Sequence, residues 1–275
     1  MFFQPQDSLD DIGPYTYPIL GTDTDFHDRL HVFSLFSFMQ EAAYRNARAL
    51  GIGSGQLDAQ NLCWLLIRTR VRLDSRPHWG ENITVHTWSR GTRKITFLRD
   101  YEFFCQDGRL FGCASSEWVI ASQDTHKPQR PDQIPAFSQH RICTREVFND
   151  AVARLAPLDD LPGRQPVLTC HADFSDIDRN RHVNNTRYAA WCMDAVCAAM
   201  RDRDTGCVES LIAADGQFPD IQVRDFEISY LSEVRLGSKI HCYCQMQTAA
   251  ERHIYRIEAR RDADGSPVFR ARIST

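Results

Sequence analysis

The residues best able to do chemistry lie in one polar string, Asp176-Ile177-Asp178-Arg179-Asn180-Arg181-His182-Val183-Asn184-Asn185, in otherwise apolar surroundings. In an extended segment successive side chains alternate, so Asp178, Asn180 and His182 are predicted to face one way. That would bring a carboxylate, an amide and an imidazole together, a set able to orient a polar substrate and move a proton. Asn184 or Asn185 can cap the helix that follows, whose free N–H groups form a positive end suited to an anion or a polarised oxygen. The same string also suits a plain helix-entry loop, with Asp and Asn satisfying local backbone groups and His182 an ordinary half-buried histidine. Spacing alone leaves both readings open.

Positioning such a string requires a helix after it and a sheet beneath it. Helical spacing of apolar residues predicts that helix from about Asn185 to Arg201, followed by strands over Ile221 to Tyr230, Lys239 to Gln247, Ile254 to Arg261 and Val268 to Ser274. The same order occurs earlier. A helix starting near Ser34 or Ser37 carries Leu35, Phe38, Met39, Ala42, Ala43 and Leu50 at helical spacing and ends at the glycine run Gly51 to Gly55. Strand-like runs follow over Trp64 to Leu73, Ile83 to Trp88, Ile95 to Phe104 and Leu110 to Ile120, punctuated by Arg76-Pro77, Gly91 and Asp107-Gly108. Between the halves, Pro-rich and polar residues from Ser122 to Val167 read as a linker with one short helix near Arg145 to Leu155.

The chain therefore contains one unit twice. An offset of 157 places Gly80 on Gly237, Ile83 on Ile240 and Asp107-Gly108 on Asp264-Gly265; an offset of 153 pairs Asp25 with Asp178, Phe38 with Trp191 and Glu41 with Asp194. The first unit has Asp25-Phe26-His27-Asp28-Arg29-Leu30-His31 where the second has its polar string, so the second half is the expected seat of any activity. One helix buried against one antiparallel sheet, repeated, is an α+β arrangement whose two sheets can join edge to edge into one continuous sheet.

Composition narrows the function classes. The 275 residues carry 32 basic and 36 acidic side chains, a formal charge of −4, and only Lys94, Lys127 and Lys239 are lysines. No basic cluster marks a nucleic-acid surface, so no nucleic acid is expected as partner. The longest uncharged runs are about eleven residues, too short for a membrane span. The first basic residue is Arg29, so the start lacks the basic region of a secretory signal, and a cytoplasmic address is expected. Ten cysteines without a Cys-x-x-Cys are expected to be reduced thiols, and neither a metal nor a cofactor is expected.

Asp178-Arg179-Asn180-Arg181-His182-Val183-Asn184-Asn185, with Tyr188 and Trp191, resembles the signature of the acyl-acyl carrier protein thioesterases, double hotdog enzymes of plants and bacteria. In the first half, Trp64 with Arg68, Pro77-His78-Trp79-Gly80-Glu81 and Thr87-Trp88-Ser89 are similar to that family's N-terminal hotdog. The resemblance implies a tandem (double) hotdog: an N-terminal hotdog over 1–130 with the acyl-chain pocket, a linker over 131–167, and a C-terminal hotdog over 168–275 with the catalytic residues. It places the family's active-site Asp, Asn and His on Asp178, Asn180 and His182, and its Glu on Glu233 of Tyr230-Leu231-Ser232-Glu233. Plant members usually follow that Glu with a Cys; here Val234 stands there, so a cysteine nucleophile is not available at that place and attack by water is expected.

The activity so implied is hydrolysis of fatty acyl-acyl carrier protein to free fatty acid and holo carrier protein. Glu233 and His182 would activate the water, Asn180 and Asp178 would position the reactants, and N–H groups of Val183 and Asn184 would receive the oxyanion. Phe38, Met39, Ala42, Trp64 and Leu66 are the expected lining of the acyl slot, and each equally suits a plain core position. Arg179, Arg181 and Arg187 are the expected contacts for an acidic carrier protein. An acyl-coenzyme A thioesterase and a non-catalytic acyl-binding hotdog protein are the alternatives. Two fused hotdogs allow either a monomer or a homodimer.

Overall fold

The computed structural model describes residues 12–134, 142–159, 161, 163–201, 220–249 and 252–275. It divides into two compact units, residues 1–152 and 153–275. Unit one contains β1 (Tyr15–Pro18), α1 (Val32–Ala49), the short α2 (Ser54–Asp58), β2 (Leu62–Leu73), β3 (Asn82–Arg93), β4 (Thr96–Cys105) and β5 (Leu110–Ser122). Its strands lie in the order β1-β3-β4-β5-β2, with every pair antiparallel. Unit two contains β6 (Leu168–His171), α3 (Asn185–Arg201), β7 (Asp225–Tyr230), β8 (Lys239–Ala249), β9 (Arg252–Arg261) and β10 (Pro267–Ser274). The order there is β6-β8-β9-β10-β7, again antiparallel, so β6 to β10 repeat β1 to β5 one for one. One long helix on a five-stranded antiparallel sheet is the hotdog arrangement, present twice in tandem. No helix among the described residues is long and apolar enough to cross a membrane.

Periodicity explains the packing. Alternation along β3 buries Ile83, Val85 and Thr87, and the 3.6-residue stripe of α1 buries Leu35, Met39, Ala42 and Ala43. In unit two Tyr188, Cys192, Ala195 and Val196 of α3 are buried, as are Ile240 and Cys242 on the strand that α3 packs against, β8. Small residues at Ala42 and Ala195, both fully buried, let each helix approach its sheet. The offset of 157 read from the sequence reappears as geometry: Gly80 and Gly237 have φ of 82° and 79°, and Gly108 and Gly265 have 81° and 69°. Each pair is the same left-handed turn position, where a side chain would be strained.

Four expectations are corrected. First, α1 begins at Val32, ahead of the serines expected to cap it, because the Leu30 and His31 N–H groups are held by Pro77 O and Asp23 O at 2.8 Å and turn the chain into the helix there. Ser37 lies inside, its hydroxyl donating to Phe33 O. Second, no helix forms over Arg145 to Leu155: the Val147 N–H donates to Asp100 (3.0 Å), the Leu155 N–H to Ser229 Oγ (3.4 Å), and Arg145 O accepts the Trp88 indole (2.9 Å). Those backbone groups are spent on the sheet faces, so an i to i−4 ladder cannot form. Third, the strand expected from Ile221 starts at Asp225. Fourth, the four-residue edge strands β1 and β6 had been assigned to no element.

Candidate active site

The polar string is not extended. Ile177 and Val183 form an isolated bridge, and between them the Asp178 N–H donates to His182 O and the Arg181 N–H to Asp178 O, both at 2.9 Å. Arg181 takes φ 64°, which closes the loop. Asp178, Asn180 and His182 are therefore brought together by a tight turn, and the expected strand alternation is corrected. A 3₁₀ turn over Phe174–Asp176 precedes the loop, locked by the Asp173 N–H on Asp176 Oδ2 at 2.9 Å. Asn184 caps α3, its Oδ1 accepting the Thr186 N–H at 3.0 Å.

The loop aims His182 at Glu233, with Nε2 3.1 Å from Oε2; the side chains are 15 % and 33 % exposed. That is hydrogen-bond distance between an imidazole and a carboxylate. Asp178 Oδ1 accepts the Asn180 N–H at 2.7 Å, and its Oδ2 lies 3.5 Å from Asn184 Nδ2. Burial raises the Asp178 carboxyl above its ordinary value, opposed by the Asn180 N–H and by His182. Asn180 itself is exposed. The four expected catalytic residues thus occupy one loop and the short segment after β7.

The oxyanion expectation is corrected. The Val183 N–H is bound by Val234 O and the Asn184 N–H by Asp176 O, each at 2.8 Å, so neither is available to a substrate oxygen. Among the expected docking arginines, Arg179 and Arg181 are exposed, whereas Arg187 is tied to the buried Asp176 at 2.7 Å. In unit one, Phe38 stacks on Tyr17 with centroids 5.0 Å apart, and Met39 and Ala42 are buried on α1. Trp64 belongs to a separate cluster, its indole donating to Ile52 O at 3.0 Å and its ring edge-on to Phe97, while half-buried Leu66 sits opposite Trp118 on β5.

Two groups at the site escaped sequence reasoning. Arg261, at the end of β9, donates to Glu233 O at 2.9 Å, and no local pattern marked it. Tyr188 is buried, and burial raises its pKa against the opposing pull of the Val234 backbone, so it stays a neutral phenol. Its presence in the signature beside Asn185 was the available signal. Val234 is fully buried. The nearby thiols are inert: burial raises Cys192 and carries Cys244 to about 12, and Cys242 is raised by a hydrogen bond with Cys170 and by burial. Among the described residues no group of three or more His, Cys, Asp or Glu is arranged to hold a metal ion.

Unit one repeats this loop without its chemistry. Thr24 and Leu30 form the matching bridge, the Asp25 N–H donates to Arg29 O, the Asp28 N–H to Asp25 O, and Asp28 takes φ 58°. Asp25 remains, but Arg29 stands for His182 and Arg76 for Glu233, and Arg76 Nη1 pairs with Asp25 at 2.9 Å. Guanidinium does not give up its proton in proteins, so this copy cannot act as a general base.

Comparison with known proteins gives concordant results. Residues 14–135 match the family model described as acyl-ACP thioesterase N-terminal domain, and residues 172–275 match the thioesterase-like superfamily. An oleoyl-acyl carrier protein thioesterase of Arabidopsis thaliana is 25% identical over 181 residues, covering 59% of this chain and 48% of that protein. A dodecanoyl-[acyl-carrier-protein] hydrolase of Umbellularia californica is 28% identical over 182 residues, 60% of this chain and 46% of its own. The chain spans about half the length of the curated relatives it matches. An acyl-ACP thioesterase structure from Bacteroides thetaiotaomicron superposes with TM-score 0.71 at 25% identity, covering 96% of this chain and 97% of that one. A 12:0-ACP thioesterase structure from Umbellularia californica shares the fold with TM-score 0.75 at 20% identity, covering 96% and 93%.

Proposed function

We propose that this chain is an acyl-ACP thioesterase whose C-terminal unit hydrolyses the thioester of fatty acyl-acyl carrier protein, releasing free fatty acid and holo carrier protein. The observation that carries the reading is the His182–Glu233 contact at 3.1 Å, on a loop whose copy in unit one has lost both groups. Water is the nucleophile in this reading, because Val234 offers no thiol and the neighbouring cysteines are held protonated. His182 and Glu233 together take the proton as water attacks the thioester carbonyl. Asp178 fixes the Asn180 backbone, and in this reading the exposed Asn180 carboxamide donates to the developing oxyanion, a role the engaged N–H groups of Val183 and Asn184 cannot fill. The thiolate then leaves with the proton held by His182. A thioester already carries a good leaving group, so this scheme needs no metal or cofactor.

The carrier protein is preferred as donor because of the named relatives and because exposed Arg179 and Arg181 on the catalytic loop suit an acidic partner. The acyl slot is assigned to unit one, around Phe38, Met39, Ala42, Trp64 and Leu66. The test is mass-spectrometric detection of free fatty acid from a panel of acyl-acyl carrier proteins and the matching acyl-coenzyme A esters, with wild type and His182→Ala. Readouts by thiol reagents are avoided, since ten cysteines contribute background. Release from the carrier protein, lost in the variant, is expected. Release only from coenzyme A esters would reassign the donor, and no release from either, with acyl chains bound, would leave a binding protein.

A further inference from the structure

Resting on the hydrolase reading, we propose that Arg261 is a positioning residue that clamps the single peptide unit after Glu233 and thereby holds its carboxylate on His182. The peptide in question joins Glu233 to Val234. Its oxygen accepts from Arg261 Nη2 at 2.9 Å. The peptide plane is thus gripped by a side chain from another element, β9. Rotation of that plane is what would swing the Glu233 side chain away from its 3.1 Å contact with Nε2.

The clamp is itself anchored. Arg261 Nη1 is held by Ser266 Oγ at 3.1 Å and Asp264 at 3.3 Å, in the turn between β9 and β10.

The molecule supplies its own control. The backbone frame is the same in unit one: the Ser75 N–H lies on Phe111 O as the Ser232 N–H lies on Val268 O, and Pro77 O accepts from Leu30 as Val234 O does from Val183. On that frame Arg76 stands in place of the working carboxylate, and the clamp is gone with it. Cys105, opposite Ile83 in the register, occupies the place of Arg261, opposite Ile240. Arg109, in the turn between β4 and β5, donates to Ser75 Oγ at 3.1 Å and pairs with Asp107 at 3.8 Å. Clamp and carboxylate are present together in one unit and absent together in the other. A clamp serving only the fold would be wanted in both.

The test uses Arg261→Met and Arg261→Lys, with melting temperature to confirm folding and His182→Ala as reference. Misplacing the reacting groups predicts kcat reduced about 10- to 100-fold by Arg261→Met with KM within about twofold. Arg261→Lys, which keeps one donor for Glu233 O, is expected to recover much of the loss. Wild-type kcat in Arg261→Met, with His182→Ala inactive, would overturn the clamp and leave the hydrolase reading intact. Crystal structures of the same variants decide the clamp even if wild type hydrolyses no thioester: Glu233 displaced beyond hydrogen-bond reach of His182 supports it, and an unmoved carboxylate overturns it.

Discussion

Replacing Glu233 by glutamine removes one charge and almost no volume, which makes it the sharpest probe of the His182–Glu233 pair. At the observed 3.1 Å, two unit charges in a medium of effective dielectric about 20 attract by about 5 kcal/mol. Glu233 is a third exposed, so solvent screening reduces that figure towards the roughly 1.5–3 kcal/mol of a hydrogen bond to a charged group. At about 1.4 kcal/mol per decade, loss of imidazolium stabilisation alone predicts kcat reduced about 10- to 100-fold. If Glu233 itself receives the proton, the loss extends to about 10²- to 10⁴-fold. The assay is single-turnover release of fatty acid from acyl-acyl carrier protein, quantified by mass spectrometry across pH. A loss confined to the smaller range with the acid limb of the pH profile retained assigns the proton to His182, and a deeper loss with that limb abolished assigns it to Glu233. A kcat within threefold of wild type would refute the pair as the source of catalysis.

Other outcomes follow from the same geometry. Burial raises Asp178, so its stabilising form is the protonated one, present below about pH 4 and lost as pH rises through the folded value. Asp178→Asn should therefore melt at or above wild type at pH 7, converge with it near pH 3, and be catalytically impaired. Asp25 behaves oppositely: burial would raise it, but the Arg29 and His27 N–H groups and the Arg76 guanidinium bring it below its ordinary value. Its contribution is present above about pH 4 and lost as pH falls through the folded value. Asp25→Asn, which removes the carboxylate facing the Arg76 and Arg29 guanidiniums, should cost about 3 kcal/mol at pH 7 by thermal or urea unfolding, with the difference shrinking in acid. Arg179→Glu with Arg181→Glu should lower kcat/KM for the carrier protein about tenfold and flatten its salt dependence, measured against an acyl-coenzyme A control. Arg187→Glu should instead lower stability, because it breaks the contact with Asp176.

Legibility in the sequence followed range. The alternation of Ile83, Val85 and Thr87 and the helical stripe of Leu35, Met39 and Ala42 are local patterns, and they yielded the paired helix-and-sheet units. The turn glycines yielded the offset of 157, because a left-handed turn restricts residue type. The loop around His182 was located by composition but misread as extended: its closure depends on main-chain bonds from Asp178 to His182, which any residues can make. The segment from Arg145 to Leu155 was misread as helix because its backbone partners, Asp100, Trp88 and Ser229, lie far away in sequence. Arg261 was invisible for the same reason: its partner is a carbonyl oxygen, and a carbonyl has no residue identity.

The twin loops 24–30 and 177–183 are tied by the same main-chain bonds and by the same aspartate, Asp25 or Asp178, which holds the N–H two residues on, so their shape does not depend on the four side chains that follow it. Phe26, His27, Asp28 and Arg29 ride on one copy; Arg179, Asn180, Arg181 and His182 ride on the other. Robustness and reactivity are in this way separated, and the loop is an interchangeable cassette whose contents can drift while its presentation stays constant. One copy was free to trade its imidazole for a guanidinium without losing its form, and reciprocal exchange of four side chains is a smaller step than building a loop anew.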